Sequence, residues 1–426
     1  MRITLSDARA RWAFLALVIF AAIWFSCESA KLYLAERWNE SADPRKWRAA
    51  ARLEPSNARY WEHVGLYNQW NLEHRNLPKA IRDLQRAATI DPRAERPWLE
   101  LAAAEEMWGE SSRARQAYEM AQSDDPISPN VAWRYGSFLL REDDLQEGFA
   151  ELRRALAVEP SLEASAISEC WAADPDVSAI VDQLLPRTSD AYIEAIRYFV
   201  SHQRTDAALM VWGGLQKLNS PFAMAGTIDL VNELIRENRM RDARDIWKEG
   251  LQATGWPHST GDNPSLIFNG GFEQDFLNGG FDWRESHVDG ASYAFDDGVS
   301  HTGRRSLRVS FDGTANINFQ NIFQYVVVKP RHRYRFAAFL RTEAISTNNG
   351  IRFEIFDPRH ASEVQAWTPS LLGTNLWTRE TIDVECGPET RMLEILLRRT
   401  PSSKFDNKLR GIVWVDDVSL IPVQGK

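Results

Sequence analysis

The stretch DPRAERPWLELAAAEEMWGESSRARQAYEMAQSDDP, residues 91–126, contains one full period of a repeat. Pro92, Pro126 and Pro160 follow one another at intervals of 34 residues. The apolar and small residues that mark this unit are Trp98, Leu101, Ala102, Ala114, Tyr118 and Ala121. A fixed period of this size predicts a repeat architecture rather than one compact core.

Neighbouring units keep the same pattern of small and large residues. The unit before it has Trp61, Val64, Gly65, Ala80, Leu84, Ala87 and Pro92, and the unit after it has Ala132, Tyr135, Gly136, Gly148, Leu152 and Ala155. Small residues let the two helices of a hairpin approach closely, large residues fill the gaps, and proline ends the second helix. Ala132 at the large position and Gly148 inside a helix depart from the pattern. The pattern resembles the tetratricopeptide repeat (TPR) family.

That resemblance implies an all-α solenoid whose concave surface binds a protein or peptide. We predict this solenoid over residues 43–252, with irregular turns between Pro160 and Asp190. A passive spacer is the other interpretation of the same repeats. Trp61 and Trp98 occupy repeat-packing positions, whereas Trp108 and Trp133 are candidate surface contacts.

The character of the sequence changes after residue 252. Residues 253–264 contain the turn-forming residues Gly255, Pro257, Gly261 and Pro264, which predicts a linker. The segments RYRFAAFL (333–340), GIRFEIF (350–356) and RMLEILL (391–397) then alternate apolar and polar residues. Alternating strands separated by turn residues predict an all-β sandwich over residues 265–426.

This half of the chain resembles the carbohydrate-binding jelly rolls of the family 4/9 type, within the galactose-binding-like superfamily. The residues that carry the resemblance are Asn269–Glu273, Gly303, Ser306–Val309, Gln324, Pro330, Tyr334–Phe336, Trp377 and the closing WVDDVSL from Trp414. The resemblance implies a jelly-roll sandwich, and it identifies the fold better than the ligand.

In the family that this half resembles, a structural calcium ion binds an acid after the opening Gly-Gly and an acid of the closing strand. Glu273 and Asp416 match those positions, Asp417 is the second choice, and the turn at Ser306 adds oxygen ligands. By parity, Asp416 shares the apolar face of Trp414 and Val418, where an uncompensated carboxylate is costly. The alternative is that Asp416 accepts backbone N–H bonds at a strand end.

A glycan site needs flat aromatic groups and planar polar groups on a concave surface. Residues of the parity opposite to the apolar one supply both. The candidates are Phe339, Arg341, Arg352, Glu354, Phe356 and Arg398, with Tyr293 and Trp367 from loops. The alternative is a solvated sheet face with ordinary cross-strand ion pairs.

The N-terminus predicts a membrane segment. Arg2, Arg9 and Arg11 precede an apolar run from Trp12 to Phe25, and a basic flank favours a cytoplasmic N-terminus. We predict residues 1–11 as the cytoplasmic flank and 12–30 as a signal anchor, with both later domains outside the cytoplasm. A cleaved signal peptide and a lipoprotein at Cys27 are the alternatives.

Composition and the absence of catalytic motifs reduce the number of possible function classes. A net charge of −9 without a basic stripe argues against nucleic acid as a partner, and three distant cysteines imply neither disulfides nor zinc. No nucleophile, phosphate-binding or zinc-protease motif is present. The sequence therefore predicts a non-catalytic envelope scaffold that binds protein partners and polysaccharide. The rivals are a purely protein-binding assembly factor and a glycan hydrolase.

Overall fold

The computed structural model describes residues 8–255 and 265–423, and most of the predicted linker 253–264 lies outside these ranges. The chain forms two compact units, Met1–Pro186 and Arg187–Lys426. The first unit is helical in its described part, and the described residues of the second unit form four helices followed by ten β-strands. The predicted fold class, an all-α solenoid followed by an all-β sandwich, is confirmed, while the predicted domain limits stay a prediction.

The first unit contains ten α-helices among its described residues. They are α1 (Ala8–Asn39), α2 (Pro44–Leu53), α3 (Ala58–Trp70), α4 (Leu77–Ile90), α5 (Glu95–Trp108), α6 (Ser111–Asp124), α7 (Pro129–Arg141), α8 (Leu145–Val158), α9 (Glu163–Ala173) and α10 (Val177–Ala179). A 3₁₀ turn (Pro160–Leu162) and a π turn (Ile180–Leu184) interrupt the last part. The irregularity predicted after Pro160 is therefore present.

The hairpins pack through the small residues of the repeat. Ala114, Tyr118 and Ala121 are all buried on one side of α6. Gly148, which weakens a helix on propensity alone, lies against the backbone of the paired helix: a Cβ there would come within 3.2 Å of the Gly136 carbonyl oxygen. The two glycines thus permit a close helix contact that a larger residue would block.

Helix α1 has an exposed N-terminal part and a packed C-terminal part. Its N-terminal part, from Trp12 to Phe25, leaves large apolar side chains exposed, and it is the described helix that is long and apolar enough to cross a membrane. Its C-terminal part packs into the first hairpin, where Ala35 is buried with Ala50 and Ala51. The chain therefore enters the solenoid without a break in this helix.

The second unit begins with four helices that return to the repeat pattern. They are α11 (Ser189–Ser201), α12 (Thr205–Leu218), α13 (Ala225–Arg236) and α14 (Met240–Thr254). Ala208, Trp212 and Leu215 are buried on α12, and Ala243 and Trp247 are buried on α14, with the same spacing along the helix as Ala114, Tyr118 and Ala121.

Ten strands follow. They are β1 (Arg284–Glu285), β2 (Ala291–Asp296), β3 (Ser306–Asp312), β4 (Phe319–Val327), β5 (Arg333–Ile345), β6 (Arg352–Phe356), β7 (Gln365–Trp367), β8 (Gly373–Glu385), β9 (Met392–Arg399) and β10 (Arg410–Pro422). The first sheet has the order β1-β4-β9-β6-β7, and the second sheet has the order β2-β3-β10-β5-β8. Neighbouring strands in both sheets are antiparallel throughout the described residues.

The alternating residues predicted to form the core do so. Phe336 and Leu340 of β5, Phe353 of β6, and Leu393 and Ile395 of β9 are buried in one cluster. Their alternation sends the remaining side chains of each strand to the outer face of its sheet.

The parity prediction for the closing strand is wrong. A bulge between Asp416 and Ser419 inserts one extra residue, and Asp417 has a positive φ of 49°. Val418 therefore faces the core, whereas Trp414 and Asp416 lie on the outer face of the second sheet, opposite Arg341 and Phe339.

The hairpin α13–α14 packs directly against the sandwich. Trp247 meets the rings of Phe268 and Phe281 edge to face, with centroids 5.4 and 6.0 Å away. A Cβ on Gly280 would lie 2.2 Å from the Trp247 ring, so this close approach requires glycine. The Asn232 side-chain oxygen accepts hydrogen bonds from the Gly280 N–H and from the Arg284 side chain.

Candidate functional site

Five of the predicted glycan residues lie together on the outer face of the first sheet. The members of this first-sheet outer face are Arg352, Glu354 and Phe356 on β6, Trp367 on β7 and Arg398 on β9. The register sets Glu354 opposite Trp367, and the Arg352 guanidinium lies 4.0 Å from the Trp367 ring centroid. Flat aromatic and planar polar groups therefore alternate over a short distance on one surface.

An ion pair stands in the middle of this face. Arg398 Nε lies 3.2 Å from Glu354 Oε2, and the side chains are only 14% and 9% exposed. The Gln365 side chain donates to the other Glu354 oxygen at 3.1 Å. This pair also fits the alternative interpretation, a structural cross-strand ion pair.

Glu394 adds a second carboxyl group to the same face. It lies opposite Tyr325 on β4 and Phe356 on β6. Burial and the nearby charge of Glu354 raise the pKa of Glu394 to about 7, although Arg284 opposes the shift. A half-buried carboxyl group beside two aromatic rings can exchange hydrogen bonds with hydroxyl groups in either protonation state.

Tyr325 is a member of this face that the sequence candidates missed. It lies between Glu394 and the Arg284 guanidinium, whose carbon is 5.1 Å from the Tyr325 ring centroid. In β4, Phe323, Tyr325 and Val327 alternate with the buried Ile322 and Val326. Because apolar or aromatic residues occupy both parities, alternation does not distinguish the two faces of this strand.

Three predicted glycan residues lie elsewhere. Strand β5 belongs to the second sheet, so Phe339 and Arg341 lie on the opposite side of the sandwich from Arg352. Phe339 stacks on the His301 ring at a centroid distance of 3.6 Å, and Arg341 lies over Trp414 at 5.3 Å. The prediction that all the candidates share one face is therefore wrong.

Tyr293 lies at the edge of the second sheet. It pairs with the buried Val309, so it is on the core side of β2. Its ring stacks on Phe276 at 5.8 Å, and Phe276 in turn meets Phe295. Tyr293 is thus part of an aromatic cluster that closes the edge of the core.

The three acids predicted to bind calcium, Glu273, Asp416 and Asp417, converge at one end of the sandwich. A Cβ on Gly271 would lie 3.9 Å from one oxygen each of Asp416 and Asp417, and 4.0 Å from Glu273 Cγ. Burial raises the pKa of Asp416 to about 6, against the opposing effect of backbone hydrogen bonds. The opening and closing segments of the domain therefore bring these acids close together.

Protein donors already bind these carboxylates. Asp416 Oδ2 accepts from the His301 and Thr302 N–H groups at 2.8 and 3.2 Å, and Glu273 Oε1 accepts from the Arg304 N–H at 2.8 Å. Ser306 Oγ donates to the Val299 carbonyl at 2.5 Å.

The donor set is chemically right for calcium, but the ion would have to share or displace these bonds. In the described ranges, no group of three or more acidic, His or Cys side chains is arranged to hold a metal ion. The calcium site stays a prediction.

In the first unit, charged pairs connect the first helices of successive hairpins. Arg96 Nε lies 2.7 Å from Glu62 Oε1, and Arg134 Nη1 lies 2.9 Å from Glu100 Oε1. Trp108, a predicted surface contact, is 51% exposed, and Trp133 is half-buried.

No protein-family model and no curated protein matches this chain. Among solved structures, the chain is similar to the MamA protein at 15% identity, with 46% of this chain and 92% of that chain covered and a TM-score of 0.24. It is similar to PilF of Pseudomonas aeruginosa at 18% identity, with 47% and 78% covered and a TM-score of 0.24. It is also similar to a CBM4 structure at 13% identity, with 37% and 99% covered and a TM-score of 0.27. Such low scores carry no argument about function.

Proposed function

We propose that the chain is a non-catalytic, membrane-anchored scaffold. In this proposal α1 holds the chain in the cytoplasmic membrane with its N-terminus inside, the solenoid binds a protein partner, and the sandwich binds a glycan outside the cytoplasm. Such an arrangement suits the export, assembly or retention of a surface polysaccharide.

The observation that carries the glycan assignment is the first-sheet outer face. Tyr325, Phe356 and Trp367 supply aromatic rings there, and Arg352 and Glu394 supply planar polar groups between them. Sugars stack on flat rings and hydrogen-bond to such groups. Aromatic rings and planar polar groups side by side on one face favour the glycan binder over a purely protein-binding assembly factor.

Glycan-array binding by the full chain in detergent tests the assignment. Trp367→Ala should weaken binding about tenfold or more, which corresponds to about 1.4 kcal/mol. Trp377→Ala is the matched control, because Trp377 is equally half-buried but lies on the second sheet. Equal losses in the two variants, or no binding by the wild type to any bacterial polysaccharide, would favour the protein-binding rival.

The topology has its own test. Arg2, Arg9 and Arg11 lie before the apolar run, but Arg45, Lys46, Arg48 and Arg52 follow α1 closely, so the charge bias across the run is small. A reporter that is active only outside the cytoplasm, fused after Lys426, should be active in the proposed topology. Activity of a cytoplasmic reporter alone at the same position would reverse the orientation.

A further inference from the structure

The direction of α1 sets the orientation of the first hairpins. Tyr60 Oη donates to Glu36 Oε2 at 2.7 Å, and three residues further along both helices His63 Nδ1 lies 2.8 Å from Asn39 Oδ1. Because the partner numbers rise together, α3 runs parallel to α1, and α2 runs back between them.

Parallel helices have the same rise per residue, so the offset in residue number between α1 and α3 stays constant along them. The same offset places the turn between α2 and α3, residues 54–57, beside about residues 30–33 of α1. A hydrocarbon layer about 30 Å thick takes about 20 helical residues. Counted from Trp12, those 20 residues end at Lys31. The turn 54–57 thus lies where a bilayer crossed by α1 would end.

The next inter-repeat turns lie on the same edge of the solenoid. The Arg96–Glu62 pair joins the beginning of α5 to the beginning of α3, and the Arg134–Glu100 pair joins α7 to α5 at the same position of each helix. The first helices therefore stand side by side with their N-termini together. Turns 54–57, 91–94 and 125–128 form one edge, which we call the inter-repeat edge.

The side chains of this edge suit a membrane interface. The exposed arginines at its first two turns are Arg52, Arg59, Arg86 and Arg93. The acids of these two turns and helix starts are Glu54, Asp91 and Glu95, and Arg59 also pairs with Glu36 at 3.4 Å. The third turn carries Asp124 and Asp125 instead of cations, so the cationic part of the edge is its first two turns. Cations bind anionic headgroups within a Debye length of the surface.

Two indole groups lie at the same edge. The Trp61 and Trp98 N–H groups donate to the carbonyls of Pro55 and Pro92 at 3.1 and 3.0 Å, and the Arg86 guanidinium lies 4.2 Å from the Trp61 ring centroid. In the third turn, Ile127 is 77% exposed. Indoles and cations together are the usual composition of a protein surface at the headgroup level.

We propose that the first two turns of the inter-repeat edge lie against the anionic headgroups of the bilayer that α1 crosses, with Arg52, Arg59 and Arg93 as the lipid-binding groups. The solenoid then extends along the membrane surface, and the opposite edge, with turns 71–76, 109–110 and 142–144, faces away from it. This inference rests on the proposed anchoring by α1, but it holds for either orientation of that helix.

Hydrogen exchange of the full chain in lipid nanodiscs tests the proposal. In discs of phosphatidylcholine with phosphatidylglycerol, amides of residues 54–57 and 91–94 should exchange severalfold more slowly than in phosphatidylcholine alone, and high salt should reverse this. Residues 71–76 and 109–110 should exchange equally in both lipids.

Charge variants supply the matched comparison. The triple variant Arg52→Gln, Arg59→Gln and Arg93→Gln should lose the slow exchange in anionic discs. The triple variant Arg75→Gln, Lys79→Gln and Arg113→Gln changes the same net charge at exposed positions of the opposite edge and should keep it.

The outcomes separate this inference from the anchoring on which it depends. A chain that does not enter the discs at all contradicts the proposed anchor. A chain that enters them and shows equal exchange of residues 54–57 and 91–94 in both lipids overturns the inter-repeat edge while the anchor stands. The wild-type comparison alone decides this, even when a variant fails to fold.

Discussion

A buried carboxyl group at the start of the sandwich makes the stability of this half depend on pH. Asp282 is fully buried, and its Oδ2 accepts the Leu277 N–H at 2.6 Å. Burial raises the pKa of Asp282 from its ordinary value of 3.8 to about 7, although hydrogen bonds to the carboxylate partly offset the shift. The folded chain therefore holds a proton that the unfolded chain releases at much lower pH.

The sign of the effect follows from linkage. Between about pH 4 and pH 7 the folded state binds more protons at Asp282 than the unfolded state, so the free energy of unfolding falls as pH rises. Each pK unit corresponds to about 1.4 kcal/mol. From pH 5 up to the folded-state pKa of about 7, the folded chain keeps the Asp282 proton and the unfolded chain does not, a range of about two pH units. The free energy of unfolding of the wild type should therefore fall by about 2.7 kcal/mol between pH 5 and pH 8.

The substitution Asp282→Asn removes the titration and keeps a similar shape. The difference in unfolding free energy between variant and wild type should change by about 2.7 kcal/mol from pH 5 to pH 8, in favour of the variant at the higher pH. Asp289→Asn is the control, because the Asp289 side chain is fully exposed and should leave the wild-type slope unchanged.

The assay must separate the sandwich from the helices, since a chain with two compact units need not unfold in one step. Urea unfolding of the full chain in detergent, read by pulsed hydrogen exchange and mass spectrometry, follows the strands alone. If Asp282→Asn and wild type keep parallel pH profiles between pH 5 and pH 8, the carboxyl group is ionised in the fold and the burial argument fails.

Three further predictions concern the repeats, the hairpin contact and the metal. Ala114→Leu should overpack the α5–α6 hairpin and lower the unfolding free energy of the first unit by about 1–3 kcal/mol, and an unchanged urea midpoint would contradict the repeat register. Trp247→Ala should destabilise the second unit by about 3–5 kcal/mol, whereas Trp108→Ala at an exposed position should have little effect on the first. Chelator should lower the melting temperature of the full chain, calcium should restore it, and Asp416→Ala should abolish the response; an indifferent wild type would refute the calcium site.

Local pattern was enough to predict the repeats and the core. The spacing of Ala114, Tyr118 and Ala121 reflects a contact between two helices of one hairpin, which neighbouring residues determine. The alternation in β5, β6 and β9 reflects which side of each strand is buried, which is also local. The continuity of α1 into the first hairpin was less visible, because its apolar and repeat-packing parts follow different patterns along one helix.

The alternation of apolar and polar residues does not show which strands lie next to one another, and the candidate site depends on that. The parity of Phe339 and of Arg352 was predicted correctly as outward, but the sheet to which each strand belongs is a matter of topology, and β5 and β6 belong to different sheets. The bulge at Asp417 inserts one residue into the closing strand, so Val418 faces the opposite side from Asp416 although alternation puts both on one face. An aspartate with positive φ is uncommon enough that sequence pattern alone does not indicate it.

The contact between α13 and the sandwich connects the helical part of the second unit to the first-sheet outer face. Arg359 donates to the carbonyls of Ile235 and Arg236 at the end of α13, at 2.6 and 3.0 Å. Arg359 lies in the segment that joins β6 to β7, and those strands carry Phe356 and Trp367. A cation at a helix C-terminus is stabilised by the helix dipole and by hydrogen bonds to the last carbonyls. Because the same short segment bonds α13 and connects two strands of the candidate face, the last repeat helices and the proposed glycan site share a structural element.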